Sequence, residues 1–203
     1  MRASQPIPGS EWPNDMALTI DDAPHLTFLL FVRSAWRLEV GSVPALESEP
    51  DVGSSAKPLF PDDEAISARW VSEWERAWKQ FERLETGIGA PDVETQRMLD
   101  TLTDEELSAA MSTAPSKFWE VGIDQDAFNA WRMTLLDDHQ HPFDQQPERR
   151  SLPALIDAWK SGLTTIIQLP YAGYFGDRIN REHLVVSAAA RRNPELFGLA
   201  LRQ

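Results

Sequence analysis

The side chains best suited to chemistry are concentrated at residues 137–144, which read Asp-Asp-His-Gln-His-Pro-Phe-Asp. Carboxylates and imidazoles suit zinc, iron or manganese, and a His-x-His pair can clamp one ion from an extended backbone. The ligand set would be Asp138, His139 and His141, with His183 adding a nitrogen from a later element. No HExxH or comparable frame accompanies them. A helix C-terminus also attracts histidine through its dipole, which gives His139 and His141 a structural reason to be there.

Nucleophilic chemistry has less to draw on. The chain contains no cysteine, which excludes disulfides, thiolate catalysis and cysteine-based metal sites. No G-x-S-x-G elbow is present. Ser187 ends an apolar run, where a capping or turn role is the ordinary one for serine. Phosphate-binding glycine loops are also missing, so no nucleotide is expected, and no cofactor is implied. Acidic residues number 32, too many for any one catalytic carboxylate pair to stand out.

A different kind of site is suggested by residues 171–178. This stretch holds both tyrosines, Tyr171 and Tyr174, together with Phe175, Arg178 and two glycines. Tyrosine and arginine dominate interface hot spots because they combine contact area with directed hydrogen bonds. Tyr171, Tyr174, Phe175 and Arg178 are therefore read as a partner-binding loop; the competing reading folds Tyr171 and Phe175 back on the core.

Charge narrows the choice of partner. The net charge is −13, and residues 1–148 carry 28 acidic against 11 basic side chains. Residues 149–203 reverse this, with eight basic and four acidic. An acidic body repels nucleic acid and anionic membrane, leaving another protein, of basic character, as the expected partner. The C-terminal arginines, among them Arg149, Arg150, Arg178, Arg181, Arg191 and Arg192, are expected to pair with the acidic body or to meet an acidic partner.

The elements that must position these residues are mostly helical. Residues 1–20 read as a polar leader, 21–40 as an apolar element, 41–62 as a proline-rich linker or surface loop, and 63–203 as the main body. Within 21–40 the run Phe28–Val32 suits either a helix entered after Pro24 or a buried strand, with the helix preferred. Ile66, Trp70, Trp74, Trp78 and Phe81 recur at spacings of four and three, predicting a helix over 63–86 with an aromatic, core-facing stripe. Further helices are expected over 91–102, from 103 to about 112, behind a cap at Asp124 or Asp126, over 152–161 behind Ser151, and after Asn193-Pro194-Glu195. Residues 164–169 are β-branched and end at Pro170, which predicts a strand. Residues 183–187 either return as its antiparallel partner or belong to a helix through Arg192.

The expected fold is α+β and helix-rich, with four to six helices packed on a small antiparallel sheet. An apolar fraction of 42% with eight tryptophans is enough to bury a core. The expected function is that of a soluble, cytoplasmic, acidic protein that binds or regulates another protein, as an adaptor or toxin-neutralising partner, without catalysis. The alternative is a metal-dependent, hydrolase-like enzyme centred on Asp138, His139 and His141.

Overall fold

The computed structural model describes residues 12–59, 62–83, 116–137 and 145–203. They form an α+β, helix-rich fold: four short strands and seven α-helices among the described residues. The strands are β1 (Thr19–Asp21), β2 (Thr165–Leu169), β3 (Gly176–Arg178) and β4 (His183–Ser187). The helices are α1 (Pro24–Ala35), α2 (Asp63–Arg83), α3 (Gln125–Asp137), α4 (Pro147–Arg150), α5 (Leu152–Lys160), α6 (Ala188–Arg192) and α7 (Pro194–Ala200). No helix among the described residues is long and apolar enough to cross a membrane.

The sheet is mixed, which corrects the expectation of an antiparallel one. Its order is β1-β2-β4-β3, with β2 parallel to both β1 and β4, and β3 antiparallel to β4. Residues 170–182 do not make a hairpin turn. They carry the chain past β2 and down through β3, so that β4 returns between the two. A parallel return needs such a crossover. It also needs both faces covered, and all five residues of β4 are buried.

Side chains alternate between two cores across the sheet. Ile167, Leu169 and Val185 join the larger one, with α1, α2, α3 and a 3-10 turn at Lys117–Glu120. Ile166, Leu184 and Val186 join the smaller one, with Trp12, Met16 and Leu18 and the inner faces of α5 and α7.

Each core has its own local logic. Helix α1 is buried from Leu26 through Arg33, so it has no polar face and its sequence shows no clean period. Helix α2 does have one, and its Ile66, Trp70 and Trp74 are buried in a row. Trp70 stacks on Trp74 at 5.2 Å and donates its indole N–H to the Leu29 carbonyl at 2.9 Å. Phe128 and Trp131 of α3 pack edge-on and tilted against Phe31. Asn193 caps α7 as its sequence predicts, accepting from the Glu195 and Leu196 amides. Ser151 precedes α5, but its hydroxyl makes no cap and reaches the Pro194 carbonyl instead. The helices expected over 91–102 and 103–112 lie outside the described residues.

Candidate functional site: an aromatic groove with an acidic rim

The loop leaving β2 is stitched to residues 42–48, the first part of the segment read as a linker. The Glu47 amide donates to the Pro170 carbonyl at 2.9 Å, and the Ala172 amide to the Ala45 carbonyl at 2.8 Å. Leu46 and Tyr171 form an isolated bridge between them. Gly173 then takes a φ of +66°, which glycine adopts without steric cost.

Ser187, at the end of β4, pins the loop from beneath. Its hydroxyl donates to the Gly173 carbonyl at 2.6 Å and accepts from the Phe175 and Ala190 amides at 3.2 and 3.1 Å. This residue is fully buried and serves as the N-cap of α6. The role expected of it from sequence, capping, is the one it performs.

The four residues read as a partner-binding loop fall into different environments. Tyr171 is buried, with its ring edge-on to Phe175 at 5.0 Å. Burial pushes its phenol well above the ordinary range, and the nearby Arg33 guanidinium offsets part of that. Arg33 is itself buried and donates to the Val43 and Pro44 carbonyls at 3.2 and 3.0 Å. Phe175 is half-buried against the larger core. Arg178 is half-buried too, spending its guanidinium on the carbonyls of Asn180 and Arg181 within the β3–β4 turn. Burial lowers its pKa from the usual arginine value. Tyr174 is 41% exposed, and its hydroxyl accepts from the Gln203 amide at 2.9 Å.

Tyr171 and Phe175 belong to the same core as the tryptophan ridge of α2. Together with Trp74 and Trp78 they wall a groove of about 360 Å³, closed on its far side by residues 42–44. Glu75, Glu82 and Asp177 stand among its lining residues beside a single lysine, Lys79. The ridge is core at Trp70 and Trp74 but only half-buried at Trp78, where it overhangs the groove. Sequence reasoning took the whole ridge as core and so missed this. The available signal was the length of the ridge together with the acids at Glu75 and Glu82 flanking its outer end.

The candidate metal ligands are not brought together by anything the structure shows. Asp138, His139 and His141 lie outside the described residues. His183 is on β4, 5% exposed, with Nδ1 3.0 Å from the Asn180 side-chain oxygen and its ring 6.1 Å from Phe81. Among the described residues, no group of three or more histidine, aspartate or glutamate side chains is placed to hold an ion. Of the C-terminal arginines, Arg191 pairs with Glu148 and Arg192 with Glu47, while Arg178 and Arg181 donate to backbone carbonyls and Arg149 lies over the Trp12 ring. No family model, curated protein or solved structure matches the chain.

Proposed function

We propose that this chain is a non-catalytic binding protein that seats a basic segment of a partner protein in the groove between α2 and the Tyr171–Phe175 loop. The observation that carries this reading is the combination of aromatic walls and carboxylates in one recess. Indole and phenyl faces attract ammonium and guanidinium groups through their quadrupole, more strongly once water is displaced. Glu75, Glu82 and Asp177 supply opposite charge at the same place. The chain's net charge of −13 speeds encounter with a basic partner. Proteins that neutralise basic partners, and adaptors that read basic segments, work by such complementarity. A chain without cysteine fits a reducing compartment, and the cytoplasm is the location proposed.

A short peptide alternating arginine and alanine is a direct probe, with a glutamine–alanine peptide as control. Binding is read from tryptophan fluorescence and calorimetry. The arginine peptide should bind with a salt-dependent affinity, and the control should not. Reversing two rim charges, Glu75→Lys with Glu82→Lys, should weaken binding by roughly tenfold, since each exposed pair contributes about 0.2–1 kcal/mol and reversal adds repulsion. Equal binding of the arginine peptide to the wild type and the double variant would remove the groove from consideration.

A further inference from the structure

The aromatic groove abuts an edge of the sheet. Strand β3 stands last in the order β1-β2-β4-β3, and among the described residues no strand pairs with its outer side. One contact sets the hydrogen-bonding phase of β3. The Ser187 amide donates to the Phe175 carbonyl at 3.0 Å, across the antiparallel ladder with β4. Hydrogen-bonded and non-hydrogen-bonded positions alternate along such a ladder, so Asp177 is the residue of β3 that bonds to its opposite, Val185. Gly176 and Arg178 therefore turn their amide N–H and carbonyl groups outward, away from β4.

The two faces of β3 differ. Asp177 stands opposite Val185, which belongs to the larger core with α2, and it lines the groove. Phe175, two residues earlier, faces the same way and lines the groove as well. Gly176 stands opposite Val186 on the other face, where an added Cβ would come within 2.8 Å of the Ala200 Cβ at the end of α7. The outward backbone of β3 and the groove thus run side by side. The carboxylates there are uncommitted: among the described residues Glu75, Glu82 and Asp177 make no ion pair, whereas their neighbour Glu73 holds Arg76.

We infer that the partner's basic segment binds as an extended strand, added antiparallel to the outer edge of β3, with a basic side chain at every second position. This inference rests on the function proposed above for the groove. In complexes of this kind main-chain bonds to the edge supply affinity and alternate side chains supply specificity. Segment residues opposite Gly176 and Arg178 exchange N–H and carbonyl bonds with the edge and point their side chains toward α7. Those opposite Phe175 and Asp177 point theirs into the groove, where the acids and rings await a cation. The antiparallel sense is chosen because parallel pairing is the less stable per residue. A second copy of the chain is a poor occupant. Two β3 strands paired antiparallel about Asp177 would set the two Asp177 carboxylates directly opposite each other, which is destabilising.

The test uses the full chain and three peptides: the alternating arginine–alanine peptide, a version with its alanine amides N-methylated, and a version with its arginine amides N-methylated. Calorimetry reads affinity, and hydrogen exchange by NMR reads the Gly176 and Arg178 amides. The N-methylalanine peptide lacks the N–H groups that meet the edge, so it should bind at least about tenfold more weakly. The N-methylarginine peptide carries its methyl groups on the open side and should bind as the unmodified one does. Saturating unmodified peptide should slow exchange at Gly176 and Arg178 at least about tenfold and leave Asp177, already bonded to β4, unchanged. If the unmodified peptide does not bind, or binds the Glu75→Lys/Glu82→Lys variant equally well, the groove reading fails and the strand with it. If it binds in the groove but both methylated peptides bind equally, or the two amides gain no protection, the groove reading stands and the added strand is overturned. Weakening by arginine methylation alone would mean parallel addition and overturn the antiparallel sense.

Discussion

The aromatic groove, lined by residues 42–44 and Tyr171, and a polar crevice lined by Glu47, Ser48, Gln168, Pro170 and Arg192 lie along the same stitched segments, yet they are built on opposite plans. In the groove, rings that begin in the core extend outward, and the charged groups stand at its edge. In the crevice, charged groups run inward: Glu148 and Arg191 are 2% and 4% exposed and hold Gln168 from behind. Polarity is therefore separable from stability in the first recess and inseparable from it in the second. A groove rim can change its charges freely and so tune a partner, whereas a crevice whose orientation depends on a buried ion pair cannot.

The comparison is broken most easily at Arg191. Arg191→Ala leaves the Glu148 carboxylate buried without its counter-ion, and its Oε2 already has no hydrogen-bond partner among the described residues. Such a change costs about 3–5 kcal/mol, while replacing both partners by apolar residues, Arg191→Met with Glu148→Leu, restores most of it. Urea unfolding of the two variants decides the matter. If the single variant unfolds like the wild type, the crevice is no more structural than the groove and the contrast fails. The Glu75→Lys/Glu82→Lys variant should by comparison unfold almost as the wild type does.

Ser187 tests the seam between the recesses. Ser187→Ala removes one donor and one shared acceptor beneath the loop that carries Phe175 and leaves the Gly173 carbonyl without its hydroxyl partner. The expected loss is about 1–3 kcal/mol, the cost of leaving buried polar groups unpaired. Chemical denaturation measures it, and peptide binding should weaken in parallel as the groove wall loosens. Unchanged stability would show that the loop is held by packing alone.

Further along the same surface segment, Ser54 meets the start of α3, and that contact is pH-dependent. Asp124 accepts from the Ser54 amide at 3.0 Å, from the Ser54 hydroxyl at 2.8 Å, and from the Ala127 amide that it caps at 3.0 Å. These bonds, the Ser54 amide first, hold its carboxyl at about 2. An aspartate in the unfolded chain titrates near 3.9, so the folded value is the lower one. The stabilisation is therefore fully present above about pH 4 and is lost as pH falls toward 2. Carboxyl NMR should find the Asp124 midpoint near 2. Asp124→Asn should remove this part of the acid dependence, with only a modest effect because the group is exposed.

Where the sequence could be read, a single segment carried the signal. The α2 stripe and the Asn193 cap show in local spacing because each is decided within a few residues. The buried helix α1 does not, since burial on every side removes the polar face that would mark its period. Strand direction was closed as well. The run His183–Ser187 pairs in parallel because of where residues 170–182 travel, although its unbroken apolar character already hinted at two covered faces. Both recesses depend on distant partners. Phe175 and Trp78 line one groove from nearly half the chain apart, and Gln168 reads simply as a polar residue in an apolar strand until Arg191 and Glu148 are brought to it. That the Arg191 pair is interior could not be read from the charge pattern, which counts arginines without placing them.

The smallest expected effect is at Tyr174, which belongs to neither recess. Its hydroxyl lies near Gly176 and the end of α7, where it accepts from the Gln203 amide. Tyr174→Ala should change stability by no more than about 0.5 kcal/mol, as surface substitutions do. It should also leave arginine-peptide binding unaffected, because the groove is walled by Tyr171 and Phe175 and not by Tyr174. Thermal unfolding and the same calorimetric titration check both points. If stability holds but peptide binding is lost, the partner surface runs over the exposed tip of the loop, and the groove beneath it is only the packing that supports that tip. If binding also holds, the aromatic character of this loop acts inward, through Phe175 on the groove wall, and the tip is free to vary.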